Sequence, residues 1–117
     1  FKEINGSLPN RIIMFRDGVG EGQTSAVVLH EIPQITECFS SFGAAYQPKL
    51  AVIVVKKRIN TRIMEVYNNT VQNPPPGVLV TGTCTSHNSY EYFICAQSVR
   101  QGTATPTNYH VVYDTSQ

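Results

Sequence analysis

Two uninterrupted apolar runs flank a longer segment in which apolar residues recur at helical spacing. The runs lie within residues 11–15 and 50–55, and runs without alternation are typical of strands buried on both faces in the interior of a sheet. Pro33 lies in the segment between them and removes one backbone donor, so we expect a kink or two shorter helices there. Spacings of four, three, four and three predict a helix over about residues 23–42, through Val28, Ile32, Ile35, Phe39 and Phe42.

Shorter elements surround this strand, helix, strand unit. A helix tail is expected to end at Gly6, and three further strands are predicted in residues 78–84, 90–95 and 109–113. The stretch from residue 65 to the proline-rich turn at 73–77 shows little periodicity and predicts a surface loop. A strand, helix, strand order favours two parallel strands joined by a right-handed crossover, so the fold class is α/β.

Length and composition limit the chain to one globular domain or part of one. It has 117 residues, 41% of them hydrophobic, and a formal net charge of +1, which by itself indicates nothing about nucleic acid. Three cysteines without a C-x-x-C spacing predict buried thiols rather than a disulfide framework or a zinc site. Because the chain begins with Phe1, we expect it to be a piece of a larger protein.

Asp17 is the best single candidate for chemistry. It ends the first apolar run and precedes Gly18, and in open α/β sheets ligands bind at the carboxyl ends of the strands. An alternative is that Asp17 only caps a turn, since Asp before Gly is a common turn pair. Sequence pattern alone leaves both interpretations open.

Basic residues are concentrated around the second apolar run. Lys56, Lys57 and Arg58 end this run as Asp17 ends the first. If the two strands are parallel, their carboxyl ends open on one edge of the sheet, and Asp17 and these three bases should share a face that suits a metal site beside a polyanion. The alternative is a solvated strand end that discourages edge pairing. Five of the nine basic residues lie in this acid-free segment: Lys49, Lys56, Lys57, Arg58 and Arg62.

Residues 16–23, with the sequence R-D-G-V-G-E-G-Q, closely resemble the R-D-G-V-[SG]-[DE]-G-Q block of Argonaute/Piwi proteins. Four more blocks follow in the family's order, and their E-I-P-Q, V-R-Q-G-T and P-T-x-Y forms favour the Piwi branch. They lie at residues 31–34, 54–62, 76–80 and 99–109. The resemblance implies that residues 1–117 are a partial Piwi domain, without the N-terminal strands and C-terminal helices of the full domain.

The resemblance implies a partial ribonuclease H-like mixed sheet with flanking helices. It also implies an RNA endonuclease in which Asp17 is catalytic and ligates Mg²⁺ or Mn²⁺, with the remaining ligands outside these 117 residues, so that the fragment alone is inactive. Thr81 departs from the family, which usually has Asp there. By matching blocks, the residues expected to contact guide RNA are Lys57, Arg58, Arg62, Gln97, Gln101 and Thr103.

The implied partners are a small guide RNA, a complementary target RNA and proteins of a silencing complex, with no membrane. The implied setting is piRNA-type silencing in the germline, in the cytoplasm, in germ granules or in the nucleus. A cleavage-inactive Piwi protein that silences through partners is an open alternative. So is an unrelated phosphate-binding α/β domain, although the spacing of Gly18, Gly20 and Gly22 fits neither common phosphate-loop motif.

Overall fold

The computed structural model describes residues 1–82, 85 and 89–116, and they form a mixed α/β fold. The helical elements are α1 (Lys2–Asn5), a 3₁₀ turn (Glu21–Gln23), α2 (Thr24–Ala26), a π turn (Val27–Glu31) and α3 (Ile32–Ser40). The strands are β1 (Arg11–Asp17), β2 (Lys49–Lys56), β3 (Glu65–Tyr67), β4 (Thr70–Gln72), β5 (Val78–Val80), β6 (Tyr90–Cys95) and β7 (Thr107–Asp114).

Five of these strands form one sheet in the order β1-β2-β7-β6-β5, while β3 and β4 form a separate pair. The chain divides into two compact units. Unit 1 comprises Phe1–Val54 with Val111–Gln117, and unit 2 comprises Val55–His110. The boundary falls within β2 and β7, and each unit is described separately below.

Backbone hydrogen bonds fix the strand directions in unit 1. The N–H of Lys49, at the start of β2, donates to the C=O of Asn10, directly before β1, at 2.9 Å. The two neighbouring strands therefore begin together, which confirms the predicted parallel pair. By contrast, the N–H of Thr115 donates to the C=O of Leu50 at 2.9 Å. The end of β7 thus lies beside the start of β2, so these two strands are antiparallel and the sheet is mixed.

The core of unit 1 is centred on β2. Leu50, Val52 and Val54 are 1%, 0% and 0% exposed, and they cluster with Val19 and with Val27 and Ile32 of the helical segment. On the other face of β2, Ile53 is 8% exposed. Burial on both faces, predicted from the continuous apolar run, is therefore confirmed for β2.

The same prediction is wrong for β1. Side chains alternate between half-buried and exposed along this strand, and Ile13 and Phe15 are 56% and 60% exposed. β1 is an outer strand of the sheet, and the part of the chain that the structure describes half-buries one of its faces and leaves the other exposed. An apolar run shows which side chains are suited to burial, but not whether a neighbour is present to bury them.

A π turn accommodates Pro33 without breaking the helical segment. The N–H of Ile32 donates to the C=O of Val27, five residues earlier, whereas an α-helix bonds residues four apart. The extra residue brings Val27, which is 2% exposed, onto the core face in place of Val28, which is 37% exposed. The predicted stripe therefore fails at Val28, and it also fails at Phe42, which lies beyond α3 and is 62% exposed.

Unit 2 contains a hairpin where a loop was expected. β3 and β4 pair antiparallel, with Tyr67 opposite Thr70, and the connecting residues Asn68 and Asn69 both have positive φ, at 47° and 59°. Asparagine tolerates this left-handed conformation well, and a two-residue turn of this kind suits a tight hairpin. The strand predicted over residues 78–84 is observed as Val78–Val80, and residues 83 and 84 lie outside the described part.

The cysteine prediction is correct at one position and wrong at another. Cys95 is buried at the end of β6, whereas Cys38 is exposed on α3, and Cys84 is outside the described residues. Both described cysteines are free thiols. Among the helices that the structure describes, none is both long enough and apolar enough to cross a membrane.

A charged pair joins β1 to the π turn. Arg16 Nε lies 2.8 Å from Glu31 Oε2 and Arg16 Nη2 lies 3.1 Å from Glu31 Oε1, so the guanidinium donates to both carboxylate oxygens. The two side chains are 41% and 39% exposed. The hydrogen bond from Arg16 lowers the pKa of Glu31 below the ordinary 4.5; loss of solvent around the carboxylate opposes this shift, and the positive charge of Arg16 adds to it to a smaller extent. The same pair raises the pKa of Arg16.

This lowered pKa predicts an acid-dependent contribution to stability. Because the pKa of Glu31 is lower in the folded state than in the unfolded state, its contribution is complete above the unfolded value and is lost as the pH falls through the folded value. The difference in unfolding free energy between the wild type and Glu31→Gln should therefore be present at pH 7 and should shrink below about pH 4.5. Urea unfolding at several pH values measures it, and a difference that stays constant with pH would contradict it.

Candidate functional site

Asp17 is the last residue of β1 and is exposed. Its Oδ1 accepts a hydrogen bond from the N–H of Gly18 at 2.8 Å, and its backbone C=O accepts one from Arg16 Nη1 at 2.6 Å. The position at the carboxyl end of a strand agrees with the sequence prediction. The bond to Gly18 is the contact that the turn-cap alternative predicts, so a structural role for the carboxylate is present whatever its chemistry.

The other residues of the R-D-G-V-G-E-G-Q block shape the turn that follows Asp17. Gly18 has φ of 75°, a conformation that L side chains rarely adopt, although the space around its α-carbon is open. Val19 is 9% exposed and anchors the turn in the core of unit 1. Gln23 closes the turn, because its Oε1 accepts from the N–H of Gly20 at 3.1 Å while its own N–H donates to the C=O of Gly20 at 2.9 Å.

The donor set on this chain does not by itself fit a two-metal centre. Such a centre needs several carboxylate or imidazole ligands close together. Among the residues that the structure describes, no group of three or more His, Cys, Asp or Glu side chains could hold a metal ion. A divalent ion at Asp17 would therefore need further ligands from outside the residues that the structure describes.

The basic segment of unit 2 follows β2 directly. Lys57, Arg58 and Arg62 are exposed, in a stretch without helix or strand. Arg62 Nη1 donates to the C=O groups of Ile59 and Thr61 at 2.9 and 2.8 Å, so its guanidinium also ties together the backbone of this segment. The three predicted guide contacts of this block are thus brought together on one exposed loop.

Lys49 does not belong to this loop, although the sequence count included it. It begins β2 whereas Lys56 ends it, so the two lysines lie at opposite ends of one strand. Nearness in the sequence overstated the cluster, because an extended strand separates its ends by about 3.3 Å per residue. Asp17 belongs to unit 1 and the basic loop to unit 2, and their sharing of one edge stays a prediction.

The second predicted polar patch lies on the loop between β6 and β7. Gln97, Gln101 and Thr103 are all exposed there. A residue that the sequence did not single out holds this loop: Asn73 Nδ2 donates to the C=O of Gly102 at 2.8 Å, and Asn73 Oδ1 accepts from the N–H of Ala104 at 2.9 Å. The side-chain amide thus bonds the backbone on both sides of Thr103.

Sequence reasoning missed Asn73 because the two partners are about thirty positions away along the chain. The one local signal is an asparagine before a run of prolines, which by itself indicates only a turn. Pro74 is buried and Ala104 is 2% exposed, so both ends of the contact are anchored.

The sequence of this chain is similar to sequences of a known protein family. The Piwi domain family model matches residues 1–117. Piwi-like protein 1 of Gallus gallus is 48% identical over 113 residues, which are 97% of this chain and 13% of that protein. The chain thus spans only about an eighth of that relative's length.

Solved structures give the same result. The crystal structure of Drosophila Piwi matches with a TM-score of 0.81 and 38% identity, over 97% of this chain and 16% of that one. Kluyveromyces polysporus Argonaute, solved with a guide RNA, matches with a TM-score of 0.85 and 30% identity, over 99% of this chain and 16% of that one. The mixed α/β fold is therefore that of the ribonuclease H-like lobe of these proteins, and the hypothesis of an unrelated phosphate-binding domain is wrong. The chain belongs to the Argonaute/Piwi family through its Piwi domain.

Proposed function

We propose that this chain is part of a Piwi protein that binds a small guide RNA and cleaves the complementary target RNA in piRNA-type silencing. The proposal rests mainly on the position of Asp17, whose exposed carboxylate lies at the end of β1. The peptide unit that follows it is fixed by two hydrogen bonds, one to its C=O from Arg16 and one from its N–H to the Asp17 carboxylate. Asp17 would be one ligand of Mg²⁺ or Mn²⁺, with the other ligands supplied from outside these residues. The protein would work in the cytoplasm, in germ granules or in the nucleus of germline cells, with protein partners of a silencing complex.

Binding of the guide is supported by the two polar loops of unit 2. Lys57, Arg58 and Arg62 offer positive charge on an exposed loop, and such side chains neutralise phosphates without selecting a base sequence. Gln97, Gln101 and Thr103 add neutral hydrogen-bonding groups on a second exposed loop. A protein whose specificity comes from base pairing needs only to hold an A-form backbone, and these residue types suit that task.

The alternative is a cleavage-inactive Piwi protein that binds guide and target and silences through partners. The same loops would serve it, and the hydrogen bond from Gly18 to Asp17 gives the carboxylate a structural role without chemistry. The two functions differ in what happens when Asp17 is removed from the full-length protein.

Asp17→Ala in the guide-loaded full-length protein should abolish cleavage of a paired target RNA. Binding of guide and target should stay within about twofold, since the carboxylate contributes no positive charge to the phosphate path. Single-turnover cleavage assays and filter binding measure the two quantities. Cleavage by the variant at the wild-type rate would remove Asp17 from the catalytic site, and a wild type that never cleaves would favour the alternative function.

Lys57→Ala and Arg58→Ala should each weaken guide binding in a salt-dependent way. Loss of one phosphate contact should reduce the slope of log affinity against log salt concentration by about 0.7. Lys2→Ala is the matched control, since Lys2 is exposed on α1, remote in sequence from both loops. Equal slopes for all three variants and the wild type would show that the loop carrying Lys57 and Arg58 is a solvated surface that does not contact RNA phosphates.

Asn73→Ala should weaken guide binding through the loop it holds. Losing two hydrogen bonds to the backbone should lower the stability of the ordered loop by about 1–3 kcal/mol, and guide affinity should fall by about fivefold or more if Gln101 and Thr103 must be ordered to bind. Asn10→Ala changes an exposed asparagine and should have no effect. Unchanged affinity for Asn73→Ala would show that this loop does not contact the guide.

A further inference from the structure

The peptide unit between Asp17 and Gly18 is held from both ends. Its C=O accepts from Arg16 Nη1 at 2.6 Å, and its N–H donates to Asp17 Oδ1 at 2.8 Å. A rotation of this unit therefore moves the carboxylate with it. The guanidinium of Arg16 and the carboxylate of Asp17 are therefore linked through this one peptide unit.

Glu31 fixes the guanidinium. Both of its oxygens accept from Arg16, at 2.8 and 3.1 Å, and this paired geometry defines the plane of the guanidinium as well as its distance. The third nitrogen, Nη1, is then directed at the Asp17 carbonyl. Charge attraction alone would not require Arg16 to use all three nitrogens in this way.

The π turn fixes Glu31 in its turn. Glu31 is its last residue, directly before Ile32, which is 4% exposed in the core. Val27, at the other end of the same turn, is 2% exposed. Because both ends of the turn are anchored in the core, Glu31 extends toward β1 from a rigid element. π turns inside helices occur often at functional sites, where they direct a side chain that a regular helix would place elsewhere.

We propose that Glu31 is a positioning residue for Asp17, acting through Arg16 and the peptide unit between Asp17 and Gly18. This inference rests on the proposed function of Asp17 in cleavage. It assigns to the acidic residue of the E-I-P-Q block a task in catalysis without contact to RNA or to a metal. Reacting groups need placement within about 0.5 Å, which is the reason a residue that only orients another can change a rate.

The test uses the guide-loaded full-length protein with Glu31→Leu, Glu31→Gln and Arg16→Lys. Glu31→Leu should slow single-turnover cleavage of bound target by about 10- to 100-fold, the usual cost of losing a residue that orients a ligand. Glu31→Gln keeps one acceptor oxygen and should recover part of the rate. Arg16→Lys keeps the charge but loses the paired geometry, so it should be slow as well, and combining it with Glu31→Leu should add little.

Target affinity, unfolding temperature and a crystal structure separate positioning from a merely structural role. Affinity should stay within about twofold of the wild type in all variants, and the Asp17 carboxylate should be displaced in the crystal structure of Glu31→Leu. Glu37→Gln is the matched control, since Glu37 is exposed on α3 and its side chain makes no hydrogen bond or ion pair with any residue that the structure describes.

The possible failures are distinguishable. If Asp17→Ala abolishes cleavage while Glu31→Leu cleaves at the wild-type rate, this inference is wrong and the proposed function stands. If the rate, the target affinity and the unfolding temperature of Glu31→Leu all fall together and Glu31→Gln rescues none of them, the pair is a structural tie and the inference is wrong. If Asp17→Ala cleaves normally, the catalytic role of Asp17 and the positioning role of Glu31 both fail.

Discussion

The guanidinium of Arg16 is the interaction on which the candidate site depends. It donates to three oxygen atoms of two groups: both oxygens of the Glu31 carboxylate and the backbone carbonyl of Asp17. β1 is an outer strand with one face only partly covered, so its carboxyl end needs a tie to something rigid. The helical segment provides it, because Val27 and Ile32 anchor the π turn in the core formed with β2.

A proline inside a helix normally disrupts its hydrogen bonding. Here Pro33 follows a π turn, and the extra residue of that turn changes which side chains face the core. Pro33 has no N–H to give, and the turn before it bonds Ile32 to a carbonyl five residues back. Burial of Val27 instead of Val28 follows from that one extra residue. The same turn ends on Glu31, the acidic partner of Arg16. The π turn therefore determines both the position of Glu31 and the packing of the core.

The two polar loops of unit 2, residues 57–62 and the loop between β6 and β7, are held by hydrogen bonds from side chains to backbone groups and not by an ion pair. Arg62 bonds the carbonyls of its own loop, and Asn73 bonds the backbone of a loop about thirty residues away. In both cases a side chain satisfies backbone groups that no strand pairs, which is the common way to order a loop at low cost in buried area. The backbone that carries the exposed side chains of these loops is therefore fixed by side-chain hydrogen bonds.

The sequence by itself determined the family blocks, the order of the main strands and helices, and the position of Asp17 at the end of β1. These features are local: an apolar run, a helical spacing or a glycine after an acid each restrict a few consecutive residues. The signal for the hairpin, two consecutive asparagines that tolerate positive φ, is local too. Only the tertiary structure decided which face of β1 is covered, which valine enters the core, that Lys49 is apart from the basic loop, and that Glu31 and Asn73 hold the candidate sites. Each of these depends on contacts between residues distant in the chain, which periodicity and composition do not encode.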